Sequence, residues 1–124
     1  MREMRLRLQD FLEHILQAIE RIERYTADTD ETTFLQNELT QDAVVRNIEI
    51  IGQASHNIEA RFPEFAAAHP ELPLSFAYQM RNAVAHGYFT VDMAILWRTI
   101  RDDLPRLRTQ VNKAIEALKR ETQN

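Results

Sequence analysis

The sequence has no cysteine, which excludes a disulfide framework and a thiolate metal site and leaves a reducing compartment, the cytoplasm, as the expected location. Glycine and proline are scarce, with 2 and 4 occurrences among 124 residues. No alternation of apolar and polar residues is long enough to read as a strand, so a sheet is excluded and an all-helical chain is expected. No apolar stretch approaches a membrane span, and the basic start from Met1 to Arg7 is followed by no apolar signal core. His14, His56 and His69 fall at no spacing that makes a zinc site, so they read as surface or packing residues, and neither metal nor cofactor is expected. Net positive charge is also lacking: the formal charge is −4, which argues against a nucleic-acid binder that works through a general positive field. Yet 13 of the 15 basic residues are arginine, whose planar fork can hold phosphate through a few focused contacts.

The length suits a single domain, residues 1–124. Met4, Leu8, Phe11, Leu12, Ile15, Leu16, Ile19 and Ile22 recur at helical spacing, predicting an amphipathic helix that ends near Tyr25. A short helical turn passes through Phe34 and Leu35. A second long helix is expected after Thr40 as N-cap, with Val44, Ile48, Ile51, Ser55, Ile58 and Phe62 on its buried face, closing before Pro63. Residues 63–73 carry three prolines and read as a loop, with a helical turn over Glu64 to Ala68. A third helix spans about 74–85, with Phe76, Met80 and Val84 on one side and Gly87 as its stop. The last starts near Asp92 and buries Ile95, Leu96, Ile100, Leu107, Val111, Ile115 and Leu118. Pro105 should kink or break it near Asp103. Short connections between such helices predict an antiparallel bundle of four to five helices, with Trp97 in its core or at a dimer interface.

The chemically informative segment is Met80-Arg-Asn-Ala-Val-Ala-His-Gly-Tyr-Phe89. At helical spacing Asn82 and His86 share a face, one turn apart, and Arg81 points to one side of them. If the helix stops at Gly87, the His86 ring can turn toward Arg81, and the Tyr88 hydroxyl can reach the same cleft. Taken singly, His86 reads as a helix-terminal imidazole favoured by the dipole, and Arg81 as a surface ion-pair residue. Their joint spacing points to a site. Arg46, Glu49 and Gln53 form a polar stripe on the second helix, opposite its buried face, which by itself reads as a solvated face with a weak ion pair.

The spacing of Arg81, His86 and Tyr88 resembles the signature of the HEPN domains, with the tyrosine marking the HepT-like branch. The likeness extends to Asp42-Ala-Val-Val-Arg-Asn-Ile-Glu-Ile-Ile-Gly-Gln-Ala54, and to Tyr88-Phe-Thr-Val-Asp92 with Trp97 and Asp103-Leu-Pro105, so it covers nearly the whole chain. This resemblance implies a HEPN-type helical bundle and a homodimer. It also implies a metal-independent endoribonuclease toxin of a type VII HepT/MNT toxin–antitoxin system, cleaving tRNA or mRNA. Arg81 and His86 would be catalytic, with Asn82, Arg46 and Glu49 supporting the cleft. Tyr88 would be adenylylated by a partner minimal nucleotidyltransferase; packing beneath the cleft is an equally good reading of that ring. The chemistry fits cleavage by the RNA's own 2′-hydroxyl, which needs a base, an acid and positive charge beside the phosphorane. Imidazole suits the first two roles and arginine the third. The resemblance also leaves a second reading: a non-catalytic nucleotide- or partner-binding module that neutralises a nucleotidyltransferase toxin.

Overall fold

The computed structural model describes residues 2–86 and 92–123, with side chains described for 3–84 and 92–121. The chain is all-helical in these residues. Its elements are α1 (Arg2–Thr26), α2 (Glu31–Gln36), α3 (Glu38–Arg61), α4 (Pro63–Ala68), α5 (Leu74–His86), α6 (Met93–Asp102) and α7 (Leu104–Gln123). Five are principal helices, and α2 and α4 are short connectors. No described helix is long and apolar enough to cross a membrane.

α3 is the central element, flanked by α1 and α5, while α7 packs along α1, and α6 meets α7 and α2. α5 runs antiparallel to α3. Ser75 Oγ donates to Glu59 Oε2 at 2.6 Å, the rings of Tyr78 and His56 stack at 4.2 Å, and Arg81 lies over Gly52. α1 is antiparallel to α3 as well, with Phe11 edge-on to Phe62 at 6.3 Å. The start of α7 is tied to the end of α1 by an Arg108–Glu23 ion pair at 2.8 Å.

The apolar period of α1 is buried from Leu8 through Leu12, Ile15, Ile19 and Ile22, and that of α3 through Val44, Ile48, Ile51, Ser55 and Ile58. Three expected core residues face outward: Met4, Phe76 and Ile95, at 53%, 47% and 54% exposure. In α5 the reason is the close packing on α3. The buried face runs through Leu74, Ala77 and Val84, and Phe76 falls at its edge, half-exposed beside the gap it lines with Ile48 and Met80. In α6 the buried stripe is Leu96, Trp97 and Ile100, so Ile95 falls outside it. Trp97 belongs to the core, where its ring meets Phe34 at 5.2 Å and carries the Arg101 guanidinium at 4.6 Å.

Helix ends follow side-chain caps. α3 starts before Thr40, because the Asn37 Oδ1 accepts the Thr40 amide at 3.0 Å and so caps the helix three residues earlier than expected. Asp30 caps α2 by accepting from the Thr33 amide at 2.8 Å, and that backbone hydrogen bond holds its carboxyl below the ordinary aspartate value. The cap therefore acts above the usual carboxylate range and weakens as the pH falls through the lowered value. Asp92 caps α6 through the Ala94 amide at 2.9 Å. The expected break falls at Asp103, and Pro105 then sits in the first turn of α7, where its missing amide has no helical partner to lose. Residues 63–68 form a full short helix with Pro63 at its start. The expected stop at Gly87 lies outside the described residues.

Phe34 is fully buried and joins the α2 connector to α6 through Trp97. Phe34→Ala is expected to remove about 3–5 kcal/mol of folding stability, measured by urea denaturation.

Candidate active site

The polar stripe of α3 is the floor of a groove. Arg46, Glu49, Ile50, Gln53 and Asn57 recur at three- and four-residue steps and line a cavity of about 390 Å³. Arg81 from α5 forms one wall, and Phe11 and His14 from α1 form the other. The sequence-predicted residues Arg81, Arg46 and Glu49 therefore meet across two helices. A second, apolar gap of about 30 Å³, lined by Ile51, Met80, Thr99 and Leu107 among others, is too small for a substrate and lies where α3, α5 and the α6–α7 junction meet.

Arg81 is placed by Gly52. A Cβ built on Gly52 would overlap the Arg81 Cβ and stand 2.8 Å from its Cγ and 2.9 Å from the Ala77 carbonyl oxygen. Absence of a side chain at this one position lets the aliphatic stem of Arg81 lie directly on the α3 backbone. The guanidinium emerges half-buried. Its Nη1 donates to Asn82 Oδ1 at 2.9 Å, and its buried Nε has no hydrogen-bond partner. Among the described residues the ion pairs are Arg46–Glu49 and Arg108–Glu23, so no described carboxylate neutralises Arg81. A partly desolvated guanidinium without a carboxylate favours an incoming anion, and Asn82 fixes one edge of its fork while the rest can pair with phosphate oxygens.

Arg46 meets Glu49 at only 4.0 Å, with 71% of the Arg46 side chain exposed. Such a pair contributes little, so Arg46 is free to reach a ligand. The groove thus collects Arg46 and Arg81 against one carboxylate, Glu49, a local excess of positive charge in a chain whose formal charge is −4.

His86 is the last residue of α5, five positions beyond Arg81 on the same helix; its ring is outside the described side chains, and Tyr88 lies outside the described residues. Four site residues escape sequence reasoning: Phe11, His14, Asn57 and Gly52. An isolated glycine inside an otherwise strong helical pattern was the available signal for Gly52. The other two histidines are in packing positions, His56 on Tyr78 and His69 stacked on Phe65 at 4.1 Å.

The central helix of the bundle floors a groove whose wall carries a half-buried arginine with no carboxylate partner among the described residues, an arrangement with the charge to accept an anion. Residues 15–114 match the family model described as Ribonuclease HepT-like, and the chain belongs to that family. It is similar to "Probable ribonuclease HepT" of Thermococcus cleftensis, with 42% identity over 85% of this chain and 93% of that one. It is also similar to two proteins of Methanocaldococcus jannaschii. One is named "Gamma-glutamylcyclotransferase and putative RNase", 36% identical over 98% of this chain but only 53% of its own length. The other is named "Putative RNase", 34% identical over 82% of this chain and 90% of its own. No solved structure gives a significant match.

The Gly52 contact sets two effects against each other. Alanine is favoured over glycine inside a helix by about 1 kcal/mol, whereas overpacking a tight contact costs about 1–3 kcal/mol. Gly52→Ala is expected to be net destabilising in urea denaturation, because backbone stands on one side of the overlap; a gain in stability would contradict the close approach of α3 and α5.

Proposed function

We propose that this chain is a metal-independent endoribonuclease in which Arg81 and His86 promote attack of a ribose 2′-hydroxyl on the adjacent phosphate. The observation that carries this reading is the half-buried Arg81 guanidinium, without a carboxylate partner among the described residues, opening on a groove with an excess of arginine in a member of the HepT-like ribonuclease family. The 2′-oxygen forms a bond to phosphorus, the 5′-oxygen leaves, and the products are a cyclic phosphate and a free 5′-hydroxyl. Arg81, backed by Asn82, stabilises charge on the phosphorane oxygens. His86 moves the protons. Arg46 holds a flanking phosphate, with Glu49 beside it on the groove floor.

One imidazole cannot readily serve opposite sides of a phosphate, so the active form is proposed to be a homodimer in which two copies of His86 share a cleft. The apolar side chains exposed on α5 and α6, Phe76 and Ile95, support an interface formed by these two helices. The whole of 1–124 is read as one HepT-like domain acting in the cytoplasm. Its cellular role is that of the toxin in a HepT/MNT toxin–antitoxin pair with tRNA or mRNA as target. The partner nucleotidyltransferase would transfer AMP from ATP to the Tyr88 hydroxyl, releasing pyrophosphate. Added bulk and negative charge next to Arg81 would then repel RNA.

Two experiments test this. The purified protein should cleave a single-stranded RNA oligonucleotide and leave the same sequence in 2′-deoxy form intact, and Arg81→Ala or His86→Ala should each lower the rate by about 10²–10⁴-fold. Equal cleavage of the deoxy substrate would refute the mechanism. For regulation, intact-mass measurement after incubation with a minimal nucleotidyltransferase and ATP should show a gain of AMP in the wild type and none in Tyr88→Phe; the same gain in both would rule out Tyr88.

A further inference from the structure

Opposite Arg81, the α1 wall of the groove carries chemistry that phosphate contacts and bond cleavage do not use. His14 is exposed, and its ring meets that of Phe11 edge-to-face at 6.4 Å with 78° between the planes. Phe11 is itself held, edge-on to Phe62 at 6.3 Å and beneath the Arg61 guanidinium at 5.6 Å. The His14 ring is thus propped by a fixed aromatic neighbour while its own surface faces the cavity. Beside it on the floor are two amides one turn apart, with Gln53 Nε2 donating to Asn57 Oδ1 at 3.4 Å. At that length the bond is weak, so both amides can exchange it for a ligand.

We infer that Phe11, His14, Gln53 and Asn57 form a nucleobase subsite, holding the base of a nucleotide whose phosphate lies against Arg81. A flat ring for stacking, with carboxamides able to donate and accept, is the combination that recognises an unstacked base by its face and its edge. The cavity's volume of about 390 Å³ falls in the range of small-ligand sites, and its lining is apolar and polar in comparable parts, as a base with a phosphate requires. The inference rests on the ribonuclease reading for its biological meaning: the α1 wall would select which base flanks the bond that is cut.

The test uses the full chain and the four nucleoside 5′-monophosphates, with ribose 5-phosphate as the ligand lacking a base, in NMR titrations of the backbone amides. At least one nucleotide is expected to bind about tenfold more tightly than ribose 5-phosphate, in line with the contribution of one stacked base. His14→Ala should abolish that advantage and leave the ribose 5-phosphate affinity unchanged, whereas His14→Phe should retain it, because stacking needs the ring and not its nitrogens. Asn57→Ala should alter the ranking of the four bases. Equal affinity for nucleotides and ribose 5-phosphate would overturn the subsite, as would an unaffected His14→Ala or a His14→Phe as weak as His14→Ala. Helical circular dichroism of each variant separates these outcomes from unfolding. Cleavage of RNA without base-dependent binding would remove the subsite alone, and base-dependent binding without cleavage would remove the ribonuclease reading alone.

Discussion

The contact of Gly52 with Arg81 and Ala77 sets the geometry on which the site depends. Two helices that carry ordinary side chains at their crossing are held apart by those side chains. Here one helix presents bare backbone, so the Arg81 stem can lie across it and Ala77 can approach it. Ser75 with Glu59 and Tyr78 with His56 continue the same pairing of α5 with α3, which fixes the rotation of α5 about its own axis. Because a guanidinium on a long flexible stem has high rotamer entropy, restraining that stem along its length is how a helical scaffold aims the charge. The Asn82 hydrogen bond then fixes the fork.

Net charge and site charge diverge in this protein, and the difference has a physical consequence. A chain with formal charge −4 repels polyanions at a distance, so its overall field does little to draw RNA in. Close to the groove the balance reverses, because the local cations outnumber the one carboxylate and Arg81 is partly removed from water. A polyanion bound there would set only a few phosphates against cations. Such an interface loses less affinity to added salt than a broad basic surface, since few counterions are released on binding.

The long helices were legible because their apolar periods agree with the packing they adopt: Leu12, Ile15, Ile19 and Ile22 in α1, and Val44, Ile48, Ile51 and Ile58 in α3, are all buried. The break at Asp103 was legible from proline chemistry. Helix starts were less so, because Asn37 and Thr40 are both good caps and only the folded backbone shows which one faces an open amide. Hydrophobicity alone also misassigned Phe76 and Ile95, which are as apolar as their buried neighbours but lie beside the buried stripes of α5 and α6 and keep about half their surface exposed. Of the groove's lining, Arg81 stood out by its spacing to His86, and Arg46 and Glu49 were pointed to by the family resemblance. Phe11, His14 and Asn57 were not. A helical wheel gives the faces of one helix, while a groove is defined by how three helices are rotated against each other, and that information is long-range.

This division between what is local and what is tertiary also separates the two halves of the groove. The α5 wall carries the residues whose chemistry is the same for every phosphodiester, since all nucleotides share the phosphate that an arginine grips. The α1 wall carries rings and, beside it on the floor, amides, groups that distinguish one base from another. α1 meets α3 through a different set of contacts from those that hold α5, with Phe11 wedged between Phe62 and Arg61. Substitutions along the α1–α3 seam can therefore shift the base-facing wall without moving Arg81 relative to Gly52. A fold arranged in this way can vary what it recognises while keeping the geometry of the phosphate contact, because the two depend on opposite faces of the same central helix.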